Sequence, residues 1–73
     1  MNIYLGHQAK SLFYMREIPV DSIGVFQAVG GDWVYWYNDG YVYNTGFADT
    51  QIEALRIAKE NFKPYKDEET SQT

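Results

Sequence analysis

His7 is the only histidine and cysteine is absent, so the side chains that most often carry nucleophilic, general-base or metal chemistry are nearly missing from this chain of 73 residues. A lone histidine with no serine, cysteine or acid at a recognisable spacing reads as a surface residue rather than a catalyst. Asp21, Asp32 and Asp39 could converge only if their loops met, and two of them sit beside glycines in turn sequences, where aspartate bonds its own backbone. Gly30-Gly31 and Gly40 lack the spacing and the following helix of a phosphate-binding loop. A chain this short also has little room for a concave site and the shell that supports one. The expectation is a non-enzymatic protein with no cofactor and no metal.

Binding chemistry is better represented. The stretch Trp33 to Tyr43, WVYWYNDGYVY, packs Trp33, Tyr35, Trp36, Tyr37, Tyr41 and Tyr43 around one turn signal. Between Arg16 and Arg56 there is no lysine or arginine, while Glu17, Asp21, Asp32, Asp39, Asp49 and Glu53 all fall there. Phosphate backbones are held mainly by lysine and arginine, so this acidic middle disfavours direct duplex DNA binding and suits a basic protein surface. The same acids also serve as the ordinary solubilising charge of a small domain with net charge −4.

These residues need a frame. One short chain encloses one small core, here residues 1–66, and without cysteine that core rests on aromatic and aliphatic packing or on a partner. The start carries no basic segment followed by a long apolar run, and no later segment approaches the roughly 20 apolar residues needed to span a bilayer. A soluble, cytoplasmic protein is expected, with no membrane partner.

The segment before Pro19 reads as a strand near Leu12–Glu17, against a helical turn over His7–Met15; proline ends either one. A strand follows at Ile23–Val29, then a Gly30-Gly31-Asp32 turn. Asn38-Asp39-Gly40 then separates two strands of a hairpin. A two-residue loop pairs Tyr37 with Val42. The preferred three-residue loop, with Gly40 in a bulge, pairs Tyr37 with Tyr41 and Trp36 with Val42. Alternation then gathers Val34, Trp36 and Val42 on a core face and Trp33, Tyr35, Tyr37, Tyr41 and Tyr43 on the other.

Residues 48–62 read as a helix capped at Asp49 or Thr50, with Glu53 placed for a capping box and Ile52, Leu55, Ala58 and Phe62 as the buried stripe. Pro64 closes it, and residues 67–73, DEETSQT, read as a disordered acidic tail. The fold class is α+β: an antiparallel meander of three or four strands with one C-terminal helix packed on one face. The tyrosine face is left open, or else the N-terminal segment folds over it.

The order of Trp33, Asp39, Gly40, Gly46, Phe47, Glu53 and Ala54 resembles the arm-type DNA-binding domains of tyrosine recombinases, which implies a ββα fold. Those domains place lysines and arginines on the sheet that enters the major groove, and this hairpin has none. In size and character, with acids at Asp32, Asp39 and Glu17 and a charged run from Lys66 to Glu69, the chain resembles small phage-encoded host-takeover proteins that bind bacterial RNA polymerase. That resemblance implies a transcription regulator that inhibits initiation or promotes antitermination in the host cytoplasm. The expected partner-binding residues are Trp33, Tyr35, Tyr37, Tyr41, Tyr43, Asp32 and Asp39, because large rings with few rotors concentrate at binding hot spots. The alternatives are an inhibitor of a CRISPR effector, and a single-stranded nucleic-acid-binding domain using Arg56, Lys59, Lys63 and Lys66 on phosphates.

Overall fold

The computed structural model describes residues 1–62, arranged as β1 (Asn2–Leu5), α1 (His7–Met15), β2 (Ser22–Gln27), β3 (Trp33–Asn38), β4 (Tyr43–Ala48) and α2 (Gln51–Asn61). The four strands form one sheet in the order β1-β2-β3-β4. β1 runs parallel to β2, and the other two pairings are antiparallel. The class is α+β and the C-terminal helix packs on the sheet, as the sequence implies. The residues read as a tail, 67–73, lie outside the described part, as does Pro64.

The expected strand at Leu12–Glu17 is instead part of α1 and the turn after it. A parallel pair cannot be closed by a tight turn, so once β1 pairs with β2 the segment between them must cross over, and a helix is the usual crossover. Gly6, with φ 66°, turns the chain out of β1. At the far end Arg16 takes the left-handed conformation, φ 57°. Its N–H bonds the Phe13 carbonyl and the Glu17 N–H bonds the Leu12 carbonyl, closing the helix as a Schellman motif does.

The helices cover opposite faces of the sheet. On the α1 face Ala9, Phe26, Val34 and Trp36 are buried, with Leu12, Phe13 and Tyr4 packed against them. On the α2 face Ile23, Val25, Tyr37, Ala54, Ala58 and Phe62 are buried, with Trp33, Tyr35 and Leu55 alongside. Alternation along β3 therefore separates Val34 and Trp36 from Trp33, Tyr35 and Tyr37 as expected, but α2 lies on the tyrosine side. The reason is steric. Ala54 and Ala58 bring the helix close to large rings, whereas Ile52, expected in the buried stripe, is 82% exposed.

The hairpin departs from expectation in its loop. Asn38 pairs with Tyr43 and Tyr37 with Asn44, so Asp39, Gly40, Tyr41 and Val42 form the connection. Asp39 sets that length: its Oδ1 accepts from the backbone N–H groups of Tyr41, at 2.8 Å, and Val42, at 3.0 Å. Val42 consequently projects from the turn, exposed, instead of joining the core. Gly40 has φ 94°, a conformation that strains a β-branched residue. Gly40→Val is expected to cost about 1–3 kcal/mol and to lower the melting temperature by about 5–20 °C. Thermal denaturation within a degree or two of the parent would show that the turn tolerates a side chain at that φ.

Candidate functional site: an aromatic flank beside α1

The expected binding face is dismantled by α2. Tyr37 is buried, and Trp33 and Tyr35 are half-buried in the core beneath the helix. The Tyr35 phenol lies where a Cβ on Gly46 would stand, so the missing side chain is what lets the ring lie flat over β4. Asp39 is only 4% exposed and its carboxylate is committed to the turn. Asp32 is exposed, but it precedes β3 at the end of the sheet opposite Tyr43. Tyr41 is exposed in the turn, and Tyr43 is exposed on β4. Tyr43 pairs with Asn38 and so shares the face of Trp36, not that of Tyr35, because the longer loop reverses which β4 residues face which side. Of the seven expected residues, the fold leaves Asp32, Tyr41 and Tyr43 at the surface and does not bring the acid and the tyrosines together.

The fold exposes another surface. α1 packs on β1 and β2, so among the described residues no helix lies above the α1 face of β4. Tyr43, Thr45 and Phe47 project there, opposite Asn38, Trp36 and Val34, and Phe47 is 71% exposed. Tyr14, at the margin of the buried face of α1, is 64% exposed. Between them lies a groove of about 560 Å³ lined by Phe13, Tyr14, Arg16, Ile18, Tyr43 and Thr45. Among the described residues the Arg16 guanidinium has no ion pair. The ammonium of Lys10 stands 6.0 Å from the Tyr14 ring centroid, so a second cation edges the aromatic strip. The sequence alone does not point to this site, because Tyr14 and Arg16 fall in the strand expected at Leu12–Glu17 and the expected loop puts Tyr43 on the opposite face. The legible signal is the period of Ala9, Leu12 and Phe13, which marks a helix with Tyr14 at the margin of its buried face.

On α2, Thr50 caps the helix, its Oγ1 accepting from the Glu53 N–H at 3.1 Å. The Glu53 carboxylate does not reach back to complete a box. It bonds Arg56, which also pairs with Glu60. The guanidinium hydrogen bond holds Glu53 below the usual carboxylate range, and these carboxylates raise Arg56. Arg56 is thus occupied, and it sits across the sheet from the aromatic flank.

His7 is exposed at the first turn of α1, and no three metal-ligating side chains gather among the described residues. No helix among those residues is long and apolar enough to cross a membrane. Comparison with protein-family models, with curated proteins and with solved structures finds no match.

Proposed function

We propose that this chain is a non-enzymatic binding module that docks on a protein partner through the aromatic flank formed by β4 and α1. One observation carries this reading: Tyr14 and Tyr43 are large, more than half exposed and set on the two sides of one groove, with the exposed Phe47 further along the same face of β4, which no described helix covers. Rings of this kind bury much area while freezing few rotors, which is why they anchor interfaces. Bacterial RNA polymerase, with inhibition or reprogramming of transcription as the outcome, is the partner implied by the chain's likeness to small phage-encoded regulators. Arg16 and Lys10 beside the rings favour a docking segment that presents a carboxylate next to an apolar side chain.

Tyr14→Ala combined with Tyr43→Ala is expected to leave the melting temperature within a few degrees, since both rings are more than half exposed and only an edge of Tyr14 meets the core at Phe26. Capture of the partner should weaken at least tenfold. The measurement is affinity purification from bacterial lysate with mass spectrometry, followed by binding to purified RNA polymerase. Equal retention of the same partner by parent and double variant sinks the assigned surface, and absence of RNA polymerase among retained proteins sinks the named target.

A second reading draws on the same groove. Arg16 beside Tyr14 and Tyr43 puts a cation and two stacking rings together, the arrangement that holds single-stranded nucleic acid. Filter binding with single-stranded DNA and RNA separates the two: retention lost on Arg16→Gln supports nucleic acid, and no retention by the parent leaves the protein partner.

A further inference from the structure

We infer that the outer edge of β4 pairs with β4 of a second copy of this chain across a two-fold axis, joining two four-stranded sheets into one. β4 is an edge strand of six residues, Tyr-Asn-Thr-Gly-Phe-Ala, with no charge and no proline along it. Edge strands usually carry charge, proline or a bulge that discourages pairing, and this one carries none of the three.

The hydrogen bonding of the hairpin shows which groups are on offer. The Asp39 N–H donates to the Val42 carbonyl, which makes Tyr37–Asn44, Tyr35–Gly46 and Trp33–Ala48 the hydrogen-bonded pairs of the ladder. Tyr43, Thr45 and Phe47 therefore aim their backbone N–H and C=O groups outward. The Thr45 N–H agrees, since it bonds the Oδ1 of its neighbour Asn44 at 2.9 Å and not a β3 carbonyl. That side chain shields one outward amide in the single chain and is displaced on pairing.

A two-fold axis at Thr45 sets Thr45 opposite its own copy and Tyr43 opposite Phe47 of the partner copy, twice over. All three outward residues then fall in hydrogen-bonded pairs, giving about six backbone hydrogen bonds. The four rings lie on the same uncovered face, Tyr43 against Phe47, and cross-strand aromatic pairs are favourable. Charge argues for this occupant. The same register places Asp49 opposite Tyr41, so no acid meets an acid, whereas an oppositely charged strand would find no partner charge along β4. Pairing of β4 with the other free edge, β1, is heterologous and leaves new edges exposed; the two-fold contact closes on itself.

Sedimentation equilibrium of the full chain tests this. The parent is expected to show a reversible monomer–dimer equilibrium, tightened by added salt because each copy carries a net charge of −4. Thr45→Pro removes the central outward N–H, a change that edge strands tolerate, and should weaken the dimer at least tenfold while circular dichroism stays that of the parent. Thr45→Lys sets two like charges opposite each other at the axis and should act the same way without touching the backbone. A parent that sediments as a monomer up to millimolar concentration overturns the inference. So does a dimer whose dissociation constant is unchanged in the folded lysine variant.

Discussion

Trp36→Ala is expected to unfold the protein, or to leave it so marginal that it melts near room temperature. Trp36 is fully buried in β3 and joins three layers of contact. Its indole lies over Gly24 of the neighbouring strand and stands 6.0 Å from the Tyr4 ring of β1, centroid to centroid. Its Nε1–H donates to the Ala9 carbonyl of α1 at 3.0 Å. Truncation opens a cavity, at about 3–5 kcal/mol for an aromatic side chain, and removes the indole hydrogen bond at about 0.5–1.5 kcal/mol more. Total stability for a chain this long is about 4–11 kcal/mol, so the loss removes most of it. Circular dichroism melts decide the matter. If Trp36→Ala unfolded only a few degrees below the parent, the indole would not be the link between α1 and the sheet. Trp36→Phe is expected to cost less, since it loses the hydrogen bond but opens a smaller cavity than alanine does.

Gly24→Ala is expected to destabilise strongly as well, although it adds a single carbon. Gly24 faces Trp36 in the β2–β3 register, and a Cβ there would fall inside the indole. The indole is the flat side of a buried ring with no room to retreat, so it must leave its place and release Ala9 as it goes. Overpacking a core by a methyl group costs about 1–3 kcal/mol, and loss of the indole hydrogen bond adds about 0.5–1.5 kcal/mol. Gly24→Ala and Trp36→Phe should be non-additive, the pair being more stable than the sum of the separate losses by more than about 0.5 kcal/mol, because the smaller ring leaves space for the methyl group. Additivity within error would mean that Gly24 is required for some reason other than Trp36.

These two residues also explain why the proposed docking surface lies where it does. Trp36 fixes α1 over β1 and β2 through Ala9, and a helix held there cannot also cover β4. The uncovered Tyr43 and Phe47 follow from that one-sided placement. The groove between Tyr14 and Tyr43 is the step from the helix layer down to the bare sheet.

Local chemistry was legible in the sequence. Alternation in Trp33–Asn38 sorts side chains by a period of two whatever lies above and below, and it divided Val34 and Trp36 from Trp33, Tyr35 and Tyr37 correctly. The Gly30-Gly31 turn, the Thr50 cap and the extent of α2 depend on neighbours within a few residues, and they too follow from residue types. Four features needed the structure, three of them because two distant segments had to meet. Leu12-Phe13-Tyr14-Met15 suits a strand or a helix until β1 pairs parallel with β2 and demands a crossover. Asp39 reads as surface acid or turn residue alike, and only its two backbone bonds, which lengthen the loop and move Tyr43 to the other face, decide between them. Gly24 falls inside the strand expected at Ile23–Val29, and nothing around it shows that Trp36 lies across it. The covering of the tyrosine face was settled by size: Ala54 and Ala58 on one side and the bare Gly46 on the other leave room for a helix and three large rings, so rings that residue type alone would place at an interface became core.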